Sequence, residues 1–343
     1  ISGNPIYTKD GPAGTGLGAG IVAAVHDRAI LSGLAVENNS IENYLNRGII
    51  LQVSDATPNG DSTAVNVRIR NNSWGNGITM NFVSANGTGP LGLENIAVVG
   101  NTIDRLQKDH PDGGVALDIT IDGGTNERIV TNFPAWDVTG CSQFVISDNH
   151  FPQVGRALDF DGRNCLLYQN FTIDNNRWHG VGGNTAPATD SLSQIQLWLT
   201  DTDSMQMTEF WSISGNQMEL VNSDRMISNF RFIAYNCYHA VTKVEDNTIN
   251  ASTHDSGDPN EHGASFVWNT TNTAIPLTGM VTMNDTFFGG NVFGGALYID
   301  ASRMDVGGLD IRSNQIKIPL VTEYVAGFDA HTISVNLDGQ KFM

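Results

Sequence analysis

ISGNPI, residues 1–6, returns almost unchanged as ISGNQM at residues 213–218. The shared phrase is an apolar residue, two small or polar ones, an asparagine, one further residue and a second apolar one. The other copies are VENNSI (Asn39), IRNNSW (Asn72), VVGNTI (Asn101), ISDNHF (Asn149), IDNNRW (Asn176), VEDNTI (Asn247), FGGNVF (Asn291) and IRSNQI (Asn314). With Asn4 and Asn216 that makes ten copies. Their mean spacing is about 34 residues, a period that marks repeat architecture. Asparagine tolerates the left-handed backbone region and bonds its own backbone, so the phrase reads as a sharp corner with asparagine at the turn.

A second phrase follows each corner. GIVAAVHD (20–27), GIILQVSD (48–55), GITMNFVS (77–84), GVALDITID (114–122), RALDFDG (156–162) and QIQLWLTD (194–201) are the first six. NFRFIAYN (229–236), GASFVWNT (263–270), GALYIDAS (295–302) and GFDAHTIS (327–334) complete the series. Most alternate apolar and polar residues, the signature of a half-buried strand. Runs such as LENIAVV and TEFWSIS alternate in the same way ahead of the corners. Each repeat therefore holds at least two strands. A propeller needs four antiparallel strands in a longer repeat and a recurring Trp-Asp signature, which these repeats do not show. The expected architecture is all-β: a single-stranded parallel β-helix of about ten coils, with asparagines stacked in an internal ladder. It spans residues 1–343 as one domain, with the last coil and a cap at about 315–343.

The bulk composition agrees. Charged residues are only 16% and glycines number 37, a turn-rich, β-leaning balance. The net charge of −18 repels nucleic acid and anionic membranes but admits a neutral sugar. Cys141, Cys165 and Cys237 are too few and too scattered for a disulfide framework or a metal site. No apolar run has membrane-spanning length. The chain begins inside a copy of the repeat without an initiator methionine, so a fragment of a longer protein is expected.

On these phrases the sequence resembles the right-handed parallel β-helix proteins of the pectin-lyase-like type. Its ragged coil length and polar outer strand make it most similar to the central domain of bacteriophage tailspike depolymerases. The resemblance implies a right-handed coil, a homotrimer and a location on the virion tail, where the host cell is met. It transfers no catalytic residue. The Asn-Thr-Asp, Gly-His-Gly and Arg-Ile-Lys signatures of polygalacturonases are missing, with Trp178-His179-Gly180 the nearest approach.

Aligning the second phrases gives the outward columns. One reads Ala24, Gln52, Asn81, Asp118, Asp159, Gln196, Arg231, Val267, Tyr298, Asp329. The next reads His26, Ser54, Val83, Thr120, Asp161, Trp198, Ile233, Asn269, Asp300, His331. The column between them, from Val25 through Phe82, Ile119 and Phe160 to Ala330, is wholly apolar. A one-residue slip would turn it out to solvent. The middle coils thus present Asp118, Asp159 and Asp161 beside Trp198, Gln196, Arg231, Thr120 and Asn81. Hydroxyl-binding groups and an aromatic platform suit a sugar, and a pair of carboxylates suits glycosidic cleavage. Stacked carboxylates repel, which holds one protonated as an acid requires.

The expected catalytic set is Asp159, Asp161 and Asp118, with one of Asp159 and Asp161 as the acid. The other and Asp118 then orient water. Trp198, Gln196, Arg231, Thr120 and Asn81 are the expected substrate contacts. Solvated acids on a soluble β surface are the plainer alternative. No cofactor is expected; a Ca²⁺ site at Asp118–Asp122 lacks an EF-hand pattern. Excursions at 123–143, 177–193 and 248–263 read as surface loops walling a groove. His26, His110, His254, His262 and His331 read as solvated. Trp74, Trp136, Trp178, Trp211 and Trp268 read as packing residues. Four functions compete: a hydrolase of a bacterial surface polysaccharide, a polysaccharide lyase, a glycan-binding fibre without turnover, and a Ser-His-Asp esterase, for which the chain has no G-x-S-x-G elbow. A lyase wants a basic residue beside a uronate, and the stripe offers one arginine and no lysine.

Overall fold

In the computed structural model, the described residues are 1–3, 5–7, 19–26, 30–42, 47–55, 62–74, 77–84, 91–103, 115–122, 140–154, 156–163, 167–181, 192–200, 206–221, 226–235, 237–250, 262–269, 282–283, 286–293, 296–300, 305–306, 309–316, 321–323, 335–336 and 341–342. Strands account for nearly all of them, and no helix occurs among them. They form three parallel sheets of 11, 13 and 10 strands. Each sheet takes one strand or strand pair per coil, in chain order, so the chain winds as a parallel β-helix. Each repeat supplies three strands, one more than the two required by the sequence pattern. An approach strand such as Leu91–Val99 leads to the corner. A short exit strand such as Thr102–Ile103 leaves it. A third strand such as Val115–Asp122 crosses the remaining face.

The corner is where the sequence makes the fold. Asn39, Asn72, Asn101, Asn149, Asn176, Asn216, Asn247, Asn291 and Asn314 are all buried. Each of the first eight donates from Nδ2 to Oδ1 of the next, at 2.9–3.1 Å. The same Oδ1 also accepts from the preceding asparagine's backbone N–H, as in Asn149 to Asn176 at 3.0 Å. The second Nδ2 hydrogen goes to a carbonyl one coil back, as in Asn176 to Ile146 at 2.9 Å. An asparagine carboxamide has two donors and a two-lone-pair acceptor, and the ladder uses all of them. Asn4 lies outside the described residues.

The left-handed residue is not the ladder asparagine but the one before it. Gly3, Asn38, Asn71, Gly100, Asp148, Asn175, Gly215, Asp246, Gly290 and Ser313 all have φ between 52° and 67°. They are the residue types that visit this region most readily, glycine and asparagine above all. The ladder asparagine is thereby freed to turn its carboxamide inward. At Gly215 the space is taken as well as the conformation. A Cβ there would collide with Oδ1 of Asn175 on the preceding coil.

A second corner bends the approach strands six residues before the ladder. Gly33, Asn66, Asn95, Gln143 and Asn170 have positive φ, and each is six places ahead of its ladder asparagine. Pairing skips them, passing from Glu94 to Ile96 opposite Val65 and Val67. On the surface Asn95 Nδ2 donates to Asn66 Oδ1 at 2.7 Å. The bend stops at Phe210, which pairs normally with Val241.

Inside, apolar side chains stack coil on coil. Phe144 lies over Phe171 at 5.2 Å and Phe171 over Trp211 at 4.2 Å, both near parallel. Phe160 meets all three rings edge-on at 4.9–6.3 Å. Trp178 and Trp211 are core residues as expected. The stack continues into Thr242, fully buried and in register with Trp211, whose hydroxyl has no hydrogen-bond partner.

Two stability outcomes follow. Asn176→Ala breaks four buried hydrogen bonds and is expected to cost about 4 kcal/mol in urea unfolding, against about 0.5 kcal/mol for exposed Gln217→Ala. Thr242→Val removes an unpaired buried hydroxyl at nearly constant volume and is expected to raise stability by about 1 kcal/mol.

Candidate functional site

The ten-stranded sheet carries the second phrases. Its strands include Ala19–His26, Arg47–Asp55, Ile78–Ser84, Val115–Asp122, Arg156–Arg163, Leu192–Thr200 and Met226–Tyr235. His262–Asn269 and Ala296–Asp300 follow. The tenth strand is Val321–Glu323, ahead of the phrase at 327–334, which lies outside the described residues together with Asp329 and His331.

The expected acid group is in register. Asp118 pairs with Asp159, and Thr120 with Asp161. Asp159 continues to Gln196, Asp161 to Trp198, and Gln196 to Arg231. Three junctions depart from the sequence alignment by two residues, the last of them where Val267 faces Asp300 rather than Tyr298. Asn81 faces Thr120 rather than Asp118, whose neighbour is Thr79. Beyond the site, Arg231 faces Ser265 rather than Val267. A two-residue slip keeps every side chain on its own face, so alternation cannot detect it. Val25, Val53 and Phe82 accordingly line up with Ile121, not with Ile119.

Asp118, Thr120, Asp122, Asp159, Asp161, Asn81 and Thr79 are all half-buried. Thr79 and Asp122 were not singled out as site residues by the sequence pattern: Thr79 is hidden by the slip, and Asp122 drew notice only for calcium. Thr79 Oγ1 is buried without a hydrogen-bond partner. Gln196, Trp198 and Arg231 occupy their expected register positions on strands.

Phe160 sits between Asp159 and Asp161 and points the other way, into the aromatic stack. It fixes the strand that carries both carboxylates. Ile119 and Ile121, fully buried, do the same for Asp118 and Asp122.

Parallel-strand geometry sets the spacings. Neighbouring strands are about 4.8 Å apart and alternate residues about 6.6 Å apart, so the Asp118–Asp161 diagonal is about 8 Å. As backbone spacings, the step across one coil is near the roughly 5 Å between carboxyl groups of retaining glycosidases, and the diagonal falls in the roughly 6.5–9.5 Å range of inverting ones. Among the described residues no group of three or more His, Cys, Asp or Glu is arranged to hold a metal ion.

The expected walls of the groove are partly strand. Gly140–Ser147 begins inside the first excursion, and Arg177–Val181 opens the second. Thr248–Asn250 opens the third, and His262 begins a strand. Residues 123–139, 182–191 and 251–261, with His110, Trp136 and His254, lie outside the described residues.

Comparison of the chain with protein-family models, with curated proteins and with solved structures finds no match. The fold and the site are therefore read from this chain alone.

Like charges directly opposite one another on neighbouring strands destabilise a sheet by roughly 0.2–1 kcal/mol. Asp159→Asn removes one of two carboxylates that are register partners, without changing shape. It is expected to raise the urea midpoint, corresponding to about 0.5 kcal/mol.

Proposed function

We propose that the chain is the polysaccharide-cleaving domain of a bacteriophage tailspike, a glycoside hydrolase acting on bacterial capsule or O-antigen. The observation that supports this reading is the set of half-buried carboxylates Asp118, Asp159 and Asp161, in register on adjacent coils of a rigid outer face. Hydrolysis of a glycosidic bond needs two carboxyl groups with different tasks. In this reading one of Asp159 and Asp161 protonates the departing oxygen. The other, with Asp118, orients the water that attacks the anomeric carbon. The Asp118–Asp161 diagonal leaves room for that water, which favours inversion.

Trp198 supplies the platform for a sugar ring, and Gln196, Arg231, Thr120 and Asn81 the hydrogen bonds to its hydroxyls. The reading carries with it a homotrimer on the virion tail, outside the host cell. The strong negative charge fits a domain that meets a polymer rather than nucleic acid.

The test is incubation with capsular and lipopolysaccharide preparations from a bacterial panel, recording polymer size, reducing ends and ultraviolet absorbance together. Reducing ends without absorbance are expected. Asp159→Asn and Asp161→Asn should each slow their release by about 10²-fold or more. New absorbance would instead identify a lyase, and binding without cleavage a glycan-binding fibre.

A further inference from the structure

The outer face that carries the carboxylates holds a second pair of reactive side chains nearer its first strand. His26 and Ser54 are register partners on the first two strands of the ten-stranded sheet. His26 Nδ1 lies 2.5 Å from Ser54 Oγ. His26 is exposed and Ser54 half-buried, so the pair is open to a ligand.

We propose that Ser54 and His26 form an acyl-ester hydrolase site that borders the carboxylate group, with Asn81 between the two. A serine hydroxyl is a weak nucleophile until a base within hydrogen-bond reach takes its proton. With the imidazole proton on Nε2, Nδ1 is the acceptor that Ser54 needs. Beside them stands Gln52, two residues before Ser54 on the same face, with Asn81 its register partner one coil further on. Both are half-buried. Carboxamide N–H groups of this kind are suitable donors to a developing oxyanion.

The chemistry balances within the pair. Ser54 Oγ bonds to the ester carbonyl carbon while its proton moves to His26 Nδ1. The tetrahedral oxyanion then collapses, the ester C–O bond breaks, and His26 returns the proton to the departing alkoxide. Water, deprotonated by His26, attacks the acyl-serine, and the carboxylic acid leaves with Ser54 restored. The described residues leave His26 exposed, which suits a small acyl group on a bulky alcohol. That the alcohol is a sugar hydroxyl of the same polymer rests on the proposed function; the ester chemistry does not.

The experiment treats the whole chain with a fluorophosphonate probe, maps the labelled peptide by mass spectrometry and follows p-nitrophenyl acetate hydrolysis. Label on Ser54 is expected. Ser54→Ala should abolish it, and Ser54→Ala and His26→Gln should each lower turnover at least about 10²-fold. Gln52→Leu should lower kcat about 10²-fold with KM little changed. Melting temperature and Asp159-dependent polymer cleavage, read on the same samples, should be unaltered by Ser54→Ala. That separates failure of the ester site from failure of the polysaccharide reading. Label elsewhere, or wild-type turnover in Ser54→Ala, would overturn the proposal. Turnover lost in His26→Gln but kept in Ser54→Ala would also overturn it, because the imidazole would then be the nucleophile by itself.

Discussion

A buried carboxamide that finds its partner only on the next coil is the constraint on which the rest of this structure depends. Left without partners in the core, each ladder asparagine would cost the full desolvation of its polar atoms. It is satisfied only if the following coil returns to the same place one strand spacing away. The ladder therefore fixes the pitch and phase of the coil at one point per turn. It leaves the path between those points free. Successive ladder residues are 23 positions apart at Asn291–Asn314 and 48 apart at Asn101–Asn149, and the hydrogen bonds stay at 2.9–3.0 Å. Length variation is absorbed between strands, while the sheets stay in step.

The same constraint makes a flat outer face available for chemistry. The inward columns and the ladder supply stability, and the outward columns contribute little to it. An outward position can thus hold a group that the fold itself would not choose. Asp118 opposite Asp159 is such a pair: two carboxyl groups on adjacent strands, held by Ile119 and Phe160 facing the other way into the core. Phe160 in turn is gripped edge-on by Phe144, Phe171 and Trp211. Precision at the surface is thus inherited from packing beneath it.

What the sequence disclosed and what it withheld divide along physical lines. Burial on one face is a parity property, so alternation placed Asp118, Asp159 and Asp161 outward and Phe160 inward correctly. Register along the strand is not fixed by parity. The two-residue offsets at Asn81 and at Arg231 were invisible because either register buries the same side chains. The recurring asparagine marked both the corner and the internal ladder; only the left-handed backbone falls elsewhere, one residue earlier. Before each ladder residue stands Gly, Asn, Asp or Ser, and that position, not the ladder position, carries the left-handed backbone. The second corner left its own trace, Gly33, Asn66, Asn95, Gln143 and Asn170 at a constant distance from the ladder, hidden inside runs that otherwise read as continuous strand.

Where that second corner ends is informative about how the coil tolerates change. From the Asn170 coil to the next, the bend gives way to a strand in which Phe210 pairs in line with Val241. The cross-section must alter there, yet the ladder runs from Asn176 to Asn216 and on to Asn247 without a break. Trp211 enters the core at this level, stacked on Phe171 and meeting Phe232 edge-on at 5.6 Å. The change of outline falls on the coils whose third strands carry Gln196, Trp198 and Arg231. The bend is lost in the thirteen-stranded sheet, while the ten-stranded sheet keeps Asp159 in register with Gln196 and Asp161 with Trp198.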